Sequence, residues 1–223
     1  TIVWGDGSPN DVIHLTPSEQ SFSVPHTYLD DNPTGTPSDV YNISATVQEG
    51  YPGSGAIIGP ATTSVTVNNV APTAGITGAP ANSPEGTAIS LNSTVNDTGT
   101  QDTFTYLWQV AASNGQVITN GTASTFSFTP DDNGTYTVTL TVTDDDGGVG
   151  TDTATITVDN VNPVLGALSM APASIDENDS STLSGSYTDA SLVDTHTIDI
   201  DWGDGSPIQT GVPVSGGSFS VLH

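Results

Sequence analysis

The sequence predicts an all-β fold built of tandem β-sandwiches, and three observations carry that expectation. Apolar residues alternate with hydroxyl residues: Tyr136, Val138, Leu140 and Val142 are interleaved with Thr137, Thr139 and Thr141. That period of two gives a strand one apolar face and one polar face. Good helix formers are scarce while Thr, Val, Ser, Gly and Pro abound, and 21 of the 25 acidic residues are Asp, a turn former, rather than Glu. Finally, Val67-Asn68-Asn69-Val70-Ala71-Pro72 returns 91 residues later as Val158-Asp159-Asn160-Val161-Asn162-Pro163. A fixed period of this kind marks a repeat architecture.

The period is close to the roughly 100 residues of an immunoglobulin-type sandwich. Each copy closes an alternating strand, and its Pro then stops the pattern, which divides the chain into units 1–70, 71–161 and 162–223. The middle unit reads as complete. Ile89, Leu91 and Ser93 suit an early strand, Phe104, Tyr106 and Trp108 an aromatic inner strand, and Phe126 and Phe128 the next. Tyr136 to Val142 and Ala154 to Val158 form the last pair. Asp132-Asn133-Gly134-Thr135-Tyr136 has the form of a tyrosine corner at the start of the sixth strand.

The outer units share one pattern. Trp4-Gly5-Asp6-Gly7-Ser8-Pro9 reappears 198 residues later as Trp202-Gly203-Asp204-Gly205-Ser206-Pro207. Ser21-Phe22-Ser23-Val24 followed by His26 is matched by Ser218-Phe219-Ser220-Val221 followed by His223. The first unit is expected to lack its opening strands and the last its closing ones, as in a window cut from a longer repetitive polypeptide. Strand exchange between chains is the alternative.

With His26-Thr27-Tyr28 and the strand Val40-Tyr41-Asn42-Ile43-Ser44-Ala45-Thr46-Val47, the Trp-Gly-Asp-Gly turn resembles the PKD (polycystic kidney disease) domain. Tyr136-Thr137-Val138-Thr139-Leu140-Thr141-Val142 and the Asp144-Asp145-Asp146-Gly147-Gly148 loop resemble that family's sixth strand and following loop. The middle unit departs from it after Trp108, with Gln109-Val110 where the Gly-Asp-Gly turn is expected. The resemblance implies β-sandwiches used in surface and secreted proteins for adhesion, spacing or accessory binding, often with calcium at the joints, and no shared chemistry.

Charge narrows the partners. The chain has no Lys or Arg, and its net charge is −25. Phosphate recognition needs basic side chains, which excludes nucleic acid and disfavours anionic membranes. The carboxylates must be balanced by solvent cations, bound metal or a basic partner. Cys is absent, so no disulfide staples the fold. No run of eighteen apolar residues occurs, and no insertion into a membrane is expected.

The chemistry suited to this inventory is hard-cation binding. Calcium takes six to eight oxygen ligands from carboxylates, carbonyls and water. Asp144, Asp145 and Asp146 fall between the last two strands, and Asp97 and Asp102 between the second and third. Both loops belong at the end of the middle sandwich that meets Asn69 of the linker. At the next joint Glu85, in the first turn, is expected to meet Asp159 and Asn160, with Asp189 and Asp194 from the following unit. The competing explanation for any single Asp is a solvated turn. His26 and His223 read as packed structural residues, His14 and His196 as isolated ones, and Asp6 and Asp204 as turn formers.

No catalytic set is expected, and Ca2+ is the expected cofactor. The leading functional expectation is a structural segment of a long extracellular or cell-surface protein, adhesin or filament. Its partners would be neighbouring repeats of the same polypeptide, with self-assembly into filaments. The second expectation is an accessory module of a secreted hydrolase that grips carbohydrate or protein, which requires exposed aromatics; Tyr28 and Tyr51 are the candidates. A third is a surface layer of a high-salt habitat, where acidic surfaces stay soluble without specific metal sites.

Overall fold

The computed structural model describes residues 1–31, 35–49, 55–191 and 193–223, which contain fifteen strands and no helix. The chain is all-β. Tyr51, one of the two aromatic candidates, lies outside the described residues.

In the first unit β1 (Ile2–Val3), β2 (Ser38–Gln48) and β3 (Ile57–Asn68) form one antiparallel sheet in that order. The middle unit holds β4 (Thr73–Thr77), β5 (Asn82–Pro84), β6 (Ile89–Asn96), β7 (Thr105–Ala112), β8 (Thr125–Phe128), β9 (Gly134–Thr143) and β10 (Val149–Asp159). These seven strands make two sheets, β4-β6-β8 and β5-β10-β9-β7. The long strands pair antiparallel, and only β5 runs parallel to β10. In the last unit β11 (Val164–Ala171), β12 (Thr182–Thr188) and β15 (Ser218–Leu222) form one sheet, beside the hairpin of β13 (His196–Ile200) and β14 (Gln209–Val214).

The core of the middle unit follows from the alternation. Tyr136, Val138, Leu140 and Val142 on β9 are all fully buried, while the intervening threonines stay partly open. They pack with Ile89, Leu91, Trp108, Phe128, Ile156 and Val158 from both sheets. Burial of each large apolar side chain contributes about 1.5–3 kcal/mol, so this cluster dominates the stability of the unit. Trp108 stacks on Phe126 at 5.7 Å, and its indole N–H donates to the Ala123 carbonyl. In the last unit, the described residues of 164–223 hold no counterpart of β9 and β10, and Leu165, Leu168 and Met170 are exposed.

The tyrosine corner forms as the motif predicts. The Tyr136 hydroxyl lies 2.9 Å from the Asp132 carbonyl and 2.9 Å from Gln116 Oε1, and accepts from Asn114 Nδ2 at 2.7 Å. Tyr41 repeats the device in the first unit, donating to the Asp30 carbonyl at 3.1 Å. These corners tie the segment before the sixth-type strand to the fold, and so fix the lower end of the first and middle units.

Removing the Tyr136 hydroxyl leaves its partners unpaired in a partly buried site, which typically costs about 1–2 kcal/mol. Tyr136→Phe should therefore lower the chemical-denaturation midpoint of the middle unit without changing the slope of the transition. An unchanged midpoint would show that the corner is dispensable.

Candidate metal centres at the joints

Two carboxylate groups form, and both sit where one unit meets the next. At the first joint the β6–β7 loop supplies Asp97 and Asp102 and the β9–β10 loop supplies Asp144, Asp145 and Asp146, as the topology predicts. The first unit adds Asp30 and Asp31, from the turn that precedes its sixth-type strand β2. Carboxylate oxygens fall within 4.8 Å of one another in three sets: Asp30, Asp31 and Asp146; Asp97, Asp102 and Asp144; and Asp102, Asp145 and Asp146.

The loops are held by their own backbone. Asp144 Oδ1 accepts the amides of Asp146 and Gly148, and its Oδ2 accepts Asn69 Nδ2 at 2.9 Å, which ties the linker to the loop. Asp97 Oδ1 accepts the Gly99 amide, and Asp145 Oδ1 accepts the Thr103 amide at 2.7 Å. Across the joint, the Thr100 amide donates to the Leu29 carbonyl. Gly148 is required by close approach: a Cβ there would press on the Asp144 carboxylate and sit 2.8 Å from both Ala71 Cα and Asn69 Nδ2. A cavity of about 130 Å³ opens beside Asp30 and Asp31, between the linker Asn68–Val70 and Thr98–Gly99.

Four carboxylate oxygens at this joint are buried without a hydrogen-bond partner: Asp31 Oδ2, Asp97 Oδ2, Asp102 Oδ2 and Asp146 Oδ1. Asp31 and Asp146 are only 3% and 6% exposed. Two like unit charges about 4 Å apart repel by roughly 4 kcal/mol at an effective dielectric constant near 20. The same crowding displaces the carboxyl pKa values. Burial, then the charges of Asp30 and Asp97, a hydrogen bond with Asp30 and the charge of Asp144 push the Asp102 carboxyl up to about 7. Burial and the neighbouring aspartates also raise Asp31 and Asp146, whereas the Thr103 amide lowers the exposed Asp145.

At the second joint Glu85, Asp189 and Asp194 converge within the same 4.8 Å span. Glu85 is 2% exposed; its Oε1 accepts the Val161 amide of the linker and its Oε2 has no partner. Gly86, at φ +72°, lets the turn pass close to Ala190, where a Cβ would sit 3.1 Å from the Ala190 methyl. Asp189 Oδ1 accepts the Ser191 amide, and Oδ2 pairs with His196 Nε2 at 2.7 Å, so His196 is not isolated.

Asp159 and Asn160 do not join this group as the sequence suggests. The Asp159 carbonyl accepts the Glu85 amide, but its side chain turns outward, 3.4 Å from Asn82 Nδ2, and Asn160 is exposed past the end of β10. Alternation explains it: buried Val158 forces its neighbour's side chain to the opposite face. Asp30 and Asp31 were missing from the expected ligands. Their signal was the Asp-Asp-Asn run preceding the corner tyrosine, which Asp131-Asp132-Asn133 repeats in the middle unit.

His26 and His223 are structural. His26 stacks on Trp4 at 4.3 Å and pairs with Asp6 Oδ2 at 2.7 Å; His223 repeats this on Trp202 at 4.2 Å and Asp204 at 2.8 Å. Asp6 also accepts the Ser8 amide and hydroxyl, forming the expected turn. Burial raises the Asp6 carboxyl, but the bonds from Ser8 and His26 outweigh it and hold the pKa at about 2.

The fold and joints define tandem immunoglobulin-like β-sandwiches. The family model described as PKD domain matches residues 69–158, which cover most of the middle unit. No curated protein matches the sequence. Among solved structures, the chicken CNTN1 FN1–FN3 domains align at 15% identity over 82% of this chain, with a TM-score of 0.31. The chain spans 64% of the length of that structure's chain.

An acid whose folded pKa lies above its unfolded one loses stability as pH rises between the two. In chelator, the melting temperature should therefore fall as pH is raised from 3.8 toward 7, the window set by Asp102. Asp102→Asn should flatten that fall. A slope unchanged by the substitution would place the strain elsewhere.

Proposed function

We propose that this chain is a structural repeat segment of a long extracellular surface protein, adhesin or filament whose joints are stiffened by calcium. One observation carries the reading: Asp31, Asp146 and Glu85 are almost fully buried at the joints, each with a carboxylate oxygen lacking a partner. The chain has no Lys or Arg to pair with them. Uncompensated buried charge is too costly to retain without a counter-ion.

The donor sets suit a hard cation. At the first joint all the acidic ligands are carboxylates, without the imidazole or thiolate that selects zinc or copper. Asp30 and Asp31 on one side, Asp97, Asp102, Asp144 and Asp146 on the other, would hold the ion. Bound there, it supplies charge neutralisation and fixes one unit against the next. Glu85 with Asp189 and Asp194 would do the same at the second joint. The ion acts as the staple that disulfides provide in cysteine-bearing extracellular domains.

A structural role also accounts for His26 and His223, which are consumed in Trp-stacked Asp pairs. The accessory-module reading gains no support from the tryptophans. Trp108 and Trp4 are buried and Trp202 is half-buried, while Tyr28 is packed between His26 and Tyr41.

Thermal melting in low salt, in high sodium chloride, and in micromolar-to-millimolar calcium with and without chelator tests the proposal. Calcium at about 100 times its dissociation constant should stabilise by about 2.7 kcal/mol per site. Glu85→Gln should reduce the calcium-specific rise. An equal rise in sodium chloride would overturn the metal reading and leave charge screening as the explanation.

A further inference from the structure

We infer that the outward face of β7, β9 and β10 is a lateral contact surface on which a second copy of this chain docks, sheet face against sheet face. The inference rests on the structural-segment reading, names its partner, and does not depend on the calcium. Between residues 71 and 161 lie ten carboxylates, and eight of them fall outside the strands, at Glu85 and in the loops. The other two are in β10. Asp152 accepts the Ile76 amide of β4, and Asp159 is the last residue of the strand.

Alternation builds the face. Tyr136, Val138, Leu140 and Val142 point into the core, so Thr137, Thr139 and Thr141 point out. The register sets these opposite Thr155, Thr153 and Thr151 of β10. On the other side, Gln109 of β7 stands opposite Thr139 and Leu107 opposite Thr141. Among the described residues, the body of this face carries hydroxyl, methyl and amide groups and no charge, in a chain of net charge −25. All seven strands of the middle unit are paired, so this is the outer surface of a finished sandwich. The first unit repeats the pattern. Val40, Asn42 and Ser44 of β2, on the side away from buried Tyr41, stand opposite Thr66, Ser64 and Thr62 of β3.

The charge distribution selects the partner. Carboxylates spread over the faces would hold like-charged chains apart. Gathering them at the ends leaves the faces as the one approach on which two copies oppose no carboxylates. Thr139 and Thr153 lie roughly 15 Å from either end of the sheet. That exceeds the screening length of about 8 Å at physiological salt, so repulsion from the ends barely reaches them. Threonine hydroxyls both donate and accept, which makes an identical face a competent partner for itself. The described outward residues include no aromatic ring for a sugar to stack on. Strands of 8, 10 and 11 residues present roughly 500 Å² per partner. A stable pair needs about 800 Å² each, so the middle unit alone associates weakly and the matching face of the first unit must add to it.

Sedimentation equilibrium of the full chain in calcium, from micromolar to millimolar concentration, should show reversible dimers. Raising sodium chloride should tighten them, because screening removes the remaining repulsion between ends. Thr153→Asp combined with Gln109→Glu, both at exposed positions, should weaken association roughly tenfold or more while leaving the melting temperature unchanged. Asn92→Asp combined with Ser127→Asp adds the same charge to exposed positions of the opposite sheet and should leave the dimer intact. Equal weakening by both pairs would overturn the assignment of the face and leave net repulsion as the cause. A chain monomeric at millimolar concentration would overturn the inference while leaving the calcium-dependent melting untouched. Retention of such a monomer on a neutral polysaccharide, lost on Thr153→Asp with Gln109→Glu, would give the face to carbohydrate instead.

Discussion

Everything at the joints follows from one constraint: carboxylates are crowded together in a chain that has no cationic side chain except histidine. In most proteins a buried Asp is relieved by Arg or Lys. Here relief comes from backbone amides, as at Asp144 and Asp145, or from histidine, as at Asp6, Asp189 and Asp204. Those devices run out at Asp31, Asp102, Asp146 and Glu85. The upward displacement of Asp102 is the signature of a site whose solvent and hydrogen bonds are insufficient for full ionisation.

Repetition supplies the geometry. Asp189 and Asp194 stand 92 residues after Asp97 and Asp102, so the loop between the second and third strands presents the same acidic pair at the upper end of two successive units. What meets that pair differs. At the first joint it is the turn before the corner tyrosine, Asp30-Asp31; at the second it is the A–B-type turn that holds Glu85. The repeated acidic pair thus meets two different partners within a single chain.

Much of this was legible in the sequence. Strict alternation gave the buried face of β9, and with it the end of the sandwich on which each loop lies. That was enough to bring Asp97, Asp102 and Asp144 to Asp146 together, and Glu85 to Asp189 and Asp194. Asp159 was misjudged because a residue next to a buried valine can offer its carbonyl to one neighbour while its side chain faces the other way. Asp30 and Asp31 were missed because their loop could be placed only by recognising Tyr41 as a second corner tyrosine, and the spacing before it is longer than before Tyr136. The pairing of His196 with Asp189 joins residues only seven apart, but periodicity does not report which way a loop side chain folds back.

The linkers show why ions suit this architecture. Asn69 at the first joint and Val161 at the second are each bonded to a carboxylate of the middle unit, Asp144 and Glu85. The same residues that would face a cation therefore also grip the connecting segment. Gly148 lets its loop approach the linker at Asn69 and Ala71, and Gly86 lets its turn approach Ala190 of the next unit. Charge neutralisation at the carboxylates then acts directly on the chain segment that sets the angle between units. A hydrophobic interface would fix that angle permanently. Under the calcium reading, a carboxylate joint makes it depend on the cation supply instead, in a chain that has no cysteine to fix it with disulfides.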